Sequence, residues 1–138
     1  EEAYLLYFNT RKDIKLNLIK PENDIYFHFD TLQISRCFNN LIKNAIEAVE
    51  KIPNPAVEIL LATDTQNIKI EIKDNGVGID EKMLSKIFEP YFTTKTKGTG
   101  LGLSIVKRII EDHGGKIKIE KNKNMAGTTS LINFEYNA

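Results

Sequence analysis

NIKIEIKDNGVGI, residues 67 to 79, is an alternating stretch that runs without a break into a carboxylate, an asparagine and two glycines. Ile68, Ile70 and Ile72 recur with period 2, the pattern of a strand with one buried face. AVEILLAT, residues 56 to 63, reads as the other arm of a hairpin. The turn that follows Lys73 has two readings. It is either ordinary Asp-Asn-Gly hairpin chemistry, or a recognition element in which Asp74 accepts a hydrogen bond from an exocyclic amine such as the N6 of adenine. In the second reading Gly76 and Gly78 let the backbone approach a flat ring, and burial makes the site reject bases that lack the amine. Two glycines spaced by one residue and followed by a short helical stretch favour recognition.

Upstream, residues 14 to 19 (IKLNLI) and 25 to 29 (IYFHF) read as two strands separated by the turn residues Pro21 to Asp24. From Thr31 to Lys51 the period becomes helical through Ile34, Phe38, Leu41, Ile42, Ala45 and Val49, with Thr31 as the cap and Pro53 and Pro55 as the stop. Downstream, Asp80 to Ile87 forms a short helix, and residues 88 to 100 have no period and read as a mobile loop. Leu101, Leu103, Ile105, Val106, Ile109 and Ile110 are the apolar face of a helix that stops at His113-Gly114-Gly115. Lys116 to Glu120 and Thr129 to Tyr136 close the chain as strands. The order β-β-α-β-β-α-α-β-β predicts an α+β fold: a two-layer sandwich with a mixed, mostly antiparallel sheet and about three helices on one face.

A chain of 138 residues is one domain with one core. Lys+Arg and Asp+Glu both number 19, so no overall field attracts nucleic acid or an anionic membrane. The single cysteine, Cys37, excludes an intramolecular disulfide, no apolar run is long enough to span a bilayer, and a reducing cytoplasmic setting fits. Because the sequence starts at Glu1 and not at Met, it reads as part of a longer protein, either free or anchored in a bacterial inner membrane.

Two further stretches carry chemistry. Asn40, Asn44 and Glu47 lie four and three residues apart, so at roughly 100° per residue they share one polar stripe of the long helix. A carboxamide oxygen there can ligate hard Mg²⁺ without adding charge; the plain alternative is a solvated helix face. Gly98-Thr99-Gly100-Leu101-Gly102-Leu103 enters a helix, and successive backbone N–H groups at such an entry form an anion site. The spacing matches neither G-x-x-x-x-G-K-[ST] nor G-x-G-x-x-G. Lys95 and Lys97 lie just upstream, either as point charges for a triphosphate or as solvated loop lysines.

Taken in order, NNLIKNAIEA, DNGVGI, IFEPYFTTK and KGTGLGLSIVKRIIEDHGG resemble the N, G1, F and G2 boxes of the catalytic ATP-binding domain of two-component sensor histidine kinases. That domain belongs to the superfamily that includes gyrase, Hsp90 and MutL, and the resemblance covers about residues 30 to 135. The spelling EPYFTTK is similar to the nitrogen-regulation kinases of the NtrB and NtrY type. The resemblance implies a Bergerat-type pocket for Mg-ATP, with Asn44 as Mg²⁺ ligand, Asn40 beside it toward the phosphates and Asp74 as the adenine reader. It places Gly76 and Gly78 along the adenine, Gly98, Thr99, Gly100, Leu101, Gly102 and Leu103 at the phosphates with Lys95 and Lys97, and Thr128 near the base. Residues 88 to 100 become a lid anchored by Phe88 and Phe92. One departure is Glu47, where many sensor kinases carry a basic residue.

The resemblance also implies a division of labour. ATP-hydrolysing relatives place a glutamate four residues before the Mg²⁺ asparagine, where this chain has Asn40. An amide is a poor general base, so the γ-phosphoryl is kept from water for another nucleophile. That nucleophile is expected on a separate dimerisation domain, because neither His28 nor His113 resembles a phosphoacceptor segment; both read as structural. A response regulator is the expected partner of that other domain. Residues 1 to 13 read as the tail of the linker from it, and 14 to 138 as the catalytic domain. The alternatives are a nucleotide-binding module without transferase activity and an ATPase of the superfamily.

Overall fold

The computed structural model describes residues 10–90 and 102–136. In chain order the elements are β1 (Lys15–Ile19), α1 (Thr31–Val49), β2 (Ala56–Thr63), β3 (Asn67–Asp74), α2 (Glu81–Leu84), α3 (Gly102–Asp112), β4 (Gly115–Lys121) and β5 (Thr128–Glu135). The strands form a five-stranded sheet ordered β1-β2-β3-β5-β4. β1 pairs parallel with β2, which requires a long crossover, and α1 supplies it. All other pairs are antiparallel, so the expected α+β sandwich with a mixed sheet is what the chain forms.

Register explains the core. Ile59 lies opposite Ile72, Ile70 opposite Ile132 and Ile68 opposite Phe134. The pleat turns these side chains to one face, where all are buried beneath α1 and α3. α1 contributes Ile34, Cys37, Leu41, Ile42, Ala45, Ile46 and Val49, a stripe at helical spacing, and α3 contributes Val106, Ile109 and Ile110. Burying a branched side chain as completely as Ile110 or Ile132 contributes about 1.5–3 kcal/mol.

Two expectations are corrected here. Residues 25 to 29 form no strand, so the observed order has one strand fewer than the sequence pattern predicts. Their alternation is real, since Ile25 and Phe27 pack against the core and Phe27 meets Phe134 at 5.2 Å between ring centroids. However, β1 already pairs with β2, and the segment uses its side chains without a backbone ladder. The cap of α1 is Asp30, not Thr31: its Oδ1 accepts the Gln33 N–H at 3.0 Å, and Thr31 is already helical.

His113 ties the two long helices together at one end. Its Nε2 accepts the backbone N–H of Asp30 at 3.0 Å, so Nδ1 carries the proton and donates to the Ile109 carbonyl at 2.7 Å. Gly114, at φ +77°, then reverses the chain into β4. His28, by contrast, lies exposed on the irregular segment before α1.

Cys37 sits where α1 meets α3, fully buried, with Sγ 3.9 Å from the Val106 carbonyl. Burial pushes its thiol up to about 11, so at neutral pH the reactive thiolate is scarce as well as enclosed. A disulfide-exchange reagent is expected to leave Cys37 unmodified in the native protein and to label it at the rate of unfolding. Rapid labelling under native conditions contradicts this placement.

Candidate functional site

Asp74 is the fourth member of the row Ile68, Ile70, Ile72, Asp74, so the same pleat that buries three isoleucines buries this residue, which is 6% exposed. Oδ1 is held by two backbone donors, the N–H of Gly76 at 2.9 Å and that of Thr128 at 3.3 Å. Oδ2 has no hydrogen-bond partner among the described residues, and it is not an enclosed atom. Desolvation raises the Asp74 carboxyl above its ordinary value, and the two N–H groups oppose that rise. The result is a fixed carboxylate with one oxygen committed to the backbone and one open to a donor from outside.

The glycines around it answer to packing as well as to conformation. A side chain at Gly76 would overlap the backbone and Cβ of Ala48 in the last turn of α1, where the Val77 N–H also donates to the Ala48 carbonyl at 3.3 Å. The lack of a side chain at Gly76, expected to let the backbone approach a ring, also gives helix α1 its space. Gly78, at φ +77°, and Gly127, at φ +105°, adopt backbone that favours glycine, and a Cβ on Gly127 would run into the Asp74 carbonyl. An open cavity of about 540 Å³ lies along this edge, lined by Gly78, Ile79, Asn122, Met125 and Gly127 among others.

At the other end, a side chain on Gly102 would lie 2.7 Å from Asn40 Nδ2 and 3.1 Å from its Oδ1, so the Asn40 amide packs against the first residue of α3. Asn40, Asn44 and Ala48 are one row of α1 at i, i+4 and i+8. Asn44 therefore lies one helical turn from Asn40, which abuts the glycine that opens α3, and one from Ala48, which abuts Gly76. Both asparagines are half-buried. Glu47 faces Lys43 at 3.9 Å, one helical turn away.

Residues 29–137 match the family model described as "Histidine kinase-, DNA gyrase B-, and HSP90-like ATPase". The chain belongs to this family. Within it, the histidine kinase branch is the one it resembles. The catalytic domain of the histidine kinase ThkA superposes with a TM-score of 0.85 at 34% identity, over 98% of this chain and 88% of that one. Sporulation kinase A of Bacillus subtilis is 41% identical over 113 residues, 82% of this chain and 18% of that protein. Nitrogen regulation protein NtrY of Azorhizobium caulinodans is 38% identical over 96 residues, 66% of this chain and 12% of that protein. The chain thus spans a small share of the length of the curated relatives it matches, and corresponds to the ATP-binding catalytic domain of a sensor histidine kinase.

The structure places Asn40 and Asn44 on α1, Asp74 at the end of β3, Gly76 and Gly78 in the turn that follows it, Gly102 at the start of α3 and Thr128 at the start of β5. Leu103 packs its side chain against the core, so its backbone is what it can offer a phosphate. Lys95, Lys97, Gly98, Thr99, Gly100, Leu101 and Phe92, with most of the expected lid, lie outside the described residues. At the near end of that stretch Ile87 is buried and Phe88 is half-buried with Lys107 Nζ 5.4 Å from its ring centroid, which fastens the segment to α3. Sequence reasoning missed Asn75 and Asn122. Asn75 bridges the hairpin ends, accepting from the Ala56 N–H at 2.8 Å and donating to the Asn54 carbonyl at 2.9 Å. Its place in the Asp-Asn-Gly turn was the available signal.

Proposed function

We propose that this domain binds Mg-ATP along the row Asn40–Asn44–Ala48 and donates the γ-phosphoryl to a histidine on a separate dimerisation domain. The observation that carries this reading is the placement of Asn44 between the two glycines, Gly76 and Gly102, that abut α1. Adenine occupies the Asp74 end, where Oδ2 accepts from the exocyclic amine and Thr128 lies beside it. The phosphates extend toward the start of α3, whose backbone N–H groups favour negative charge.

The donor set fits a hard divalent ion. Amide oxygens such as those of Asn44 and Asn40 are neutral, hard donors that can ligate Mg²⁺ beside phosphate and water without adding charge. The ion supplies charge neutralisation at the phosphates when bound. Asn40 withholds a general base from water, so the phosphorus–oxygen bond to ADP breaks as a phosphorus–nitrogen bond forms to the incoming imidazole. The base that takes the imidazole proton belongs to the other domain. Residues 1 to 13 are assigned as the end of the linker from it; within them, Arg11 is bonded to Glu50 at 3.0 Å, near the end of α1.

ThkA has been solved in complex with the response regulator TrrA. We extend that pairing to the parent of this domain, with a regulator as final acceptor. Among the described residues no helix is long and apolar enough to cross a membrane. The test is to add the cognate dimerisation domain and γ-labelled ATP. Label that is acid-labile and base-stable, located on the dimerisation domain, is expected. ATP binding without transfer to a competent acceptor, or release of the label as free phosphate alone, rejects the kinase reading.

A further inference from the structure

Asn122, at the end of β4, makes four contacts that converge on the Asp74–Thr128 clamp. Its Nδ2 donates to the Asp74 carbonyl at 2.7 Å and to the Ala126 carbonyl at 3.0 Å. Its Oδ1 accepts the Thr129 hydroxyl at 2.5 Å, and its own backbone N–H donates to the Gly127 carbonyl at 3.0 Å. The last ladder pair between β3 and β5 is Lys73 with Thr129, so the Asp74 carbonyl lies just past the sheet's own hydrogen bonds. A side-chain amide from the residue that follows β4, two strands away in the sheet, takes over there. It also grips residues on both sides of Thr128, whose N–H fixes Oδ1 of Asp74. Gly127, with no side chain and φ +105°, lets the loop press against the Asp74 carbonyl closely enough for this to happen.

We propose that Asn122 is a positioning residue for nucleotide selectivity, holding the Asp74 carboxylate in register for the adenine amine through the Asp74 backbone and the strand that donates to it. This rests on the assignment of Asp74 as adenine reader. Asn122 aims both ends of the clamp: the backbone of the carboxylate residue and the strand that donates to it. An aspartate at this position keeps the acceptor for Thr129 but sets a carboxylate oxygen against the Asp74 carbonyl, so it removes the donor without emptying the space.

The experiment measures ATP and GTP affinity by displacement of trinitrophenyl-ATP, for the wild-type chain, Asn122→Ala, Asn122→Asp, Asp74→Asn and the double variant Asp74→Asn/Asn122→Ala, each shown to be folded by its melting transition. Asn122→Ala is expected to weaken ATP by about two- to tenfold, the range one hydrogen bond commands, and Asn122→Asp by more, while GTP affinity stays unchanged. In the double variant the Asn122 effect should vanish, because it acts through Asp74. Equal loss for ATP and GTP, or an undiminished Asn122 effect in the double variant, overturns the proposal and leaves Asn122 a stabiliser of the loop. If Asp74→Asn weakens ATP and the Asn122 variants do not, the proposal fails and the adenine assignment survives. If neither changes ATP affinity, both fail together.

Discussion

Asp74→Asn is expected to weaken ATP and ADP alike, by at least about tenfold, since a charge-assisted hydrogen bond of about 1.5–3 kcal/mol is replaced by an amide donor facing an amine donor. The loss should be the same with and without Mg²⁺, because the contact proposed for this carboxylate is with the purine and not with the ion. A calorimetric titration with ADP is the direct measurement, and normal ADP binding by the variant would remove Asp74 from the pocket. The same variant carries a stability signature with a defined sign. Burial raises the Asp74 carboxyl in the folded state, so the fold binds this proton more tightly than the unfolded chain does. Its contribution to stability is therefore greatest with the group protonated, and declines as pH rises through the ordinary carboxylate value of about 4 and then the raised one. Asparagine does not titrate. The melting temperature of the variant relative to wild type should be highest near neutral pH and fall as pH is lowered toward the carboxylate range; a difference independent of pH contradicts a strained carboxylate.

Asn44→Ala is expected to leave the purine end intact and to abolish the work of the phosphate end. Removing one preorganised group that meets developing charge costs about 10²–10³ in rate, so transfer of label to the dimerisation domain should fall by that factor. ATP binding measured in a chelator should be unchanged, and the gain normally produced by adding Mg²⁺ should be lost. If chelator and Mg²⁺ give the same wild-type-to-variant ratio, the amide is not serving the ion. Together with Asp74→Asn this separates the two ends of the row, since each variant fails where the other is unaffected.

Much of this site was legible because its parts obey period. Ile68, Ile70 and Ile72 announce their strand, and counting one step further puts Asp74 on the same buried face. The half-buried Asn40 and Asn44 follow from helical spacing in the same way. Where period alone was the guide, the sequence misled: residues 25 to 29 alternate like a strand yet only lay Ile25 and Phe27 on the core, because a ladder depends on partners that alternation does not specify. Asp30 and Thr31 are both capable caps, and only the reach of the Asp30 carboxylate to Gln33 decides between them. Asn122 was invisible for another reason. It sits among lysines and asparagines that look like any solvated turn, and its decisive contact is to a carbonyl 48 positions earlier. Side chains that satisfy a distant backbone group leave no local pattern.

Helix α1 meets a glycine near each end of its polar row, Gly102 against Asn40 and Gly76 against Ala48. It therefore works as a gauge, holding these two glycine contacts eight helical steps of about 1.5 Å each apart, the span that the proposed site uses between purine and phosphate. A gauge of this kind tolerates exchange of side chains far better than a change of count. One residue inserted between Asn40 and Ala48 would turn the remainder by about 100° and swing Ala48 away from its glycine, whereas an insertion in the exposed turn between Thr63 and Asn67 leaves the span untouched.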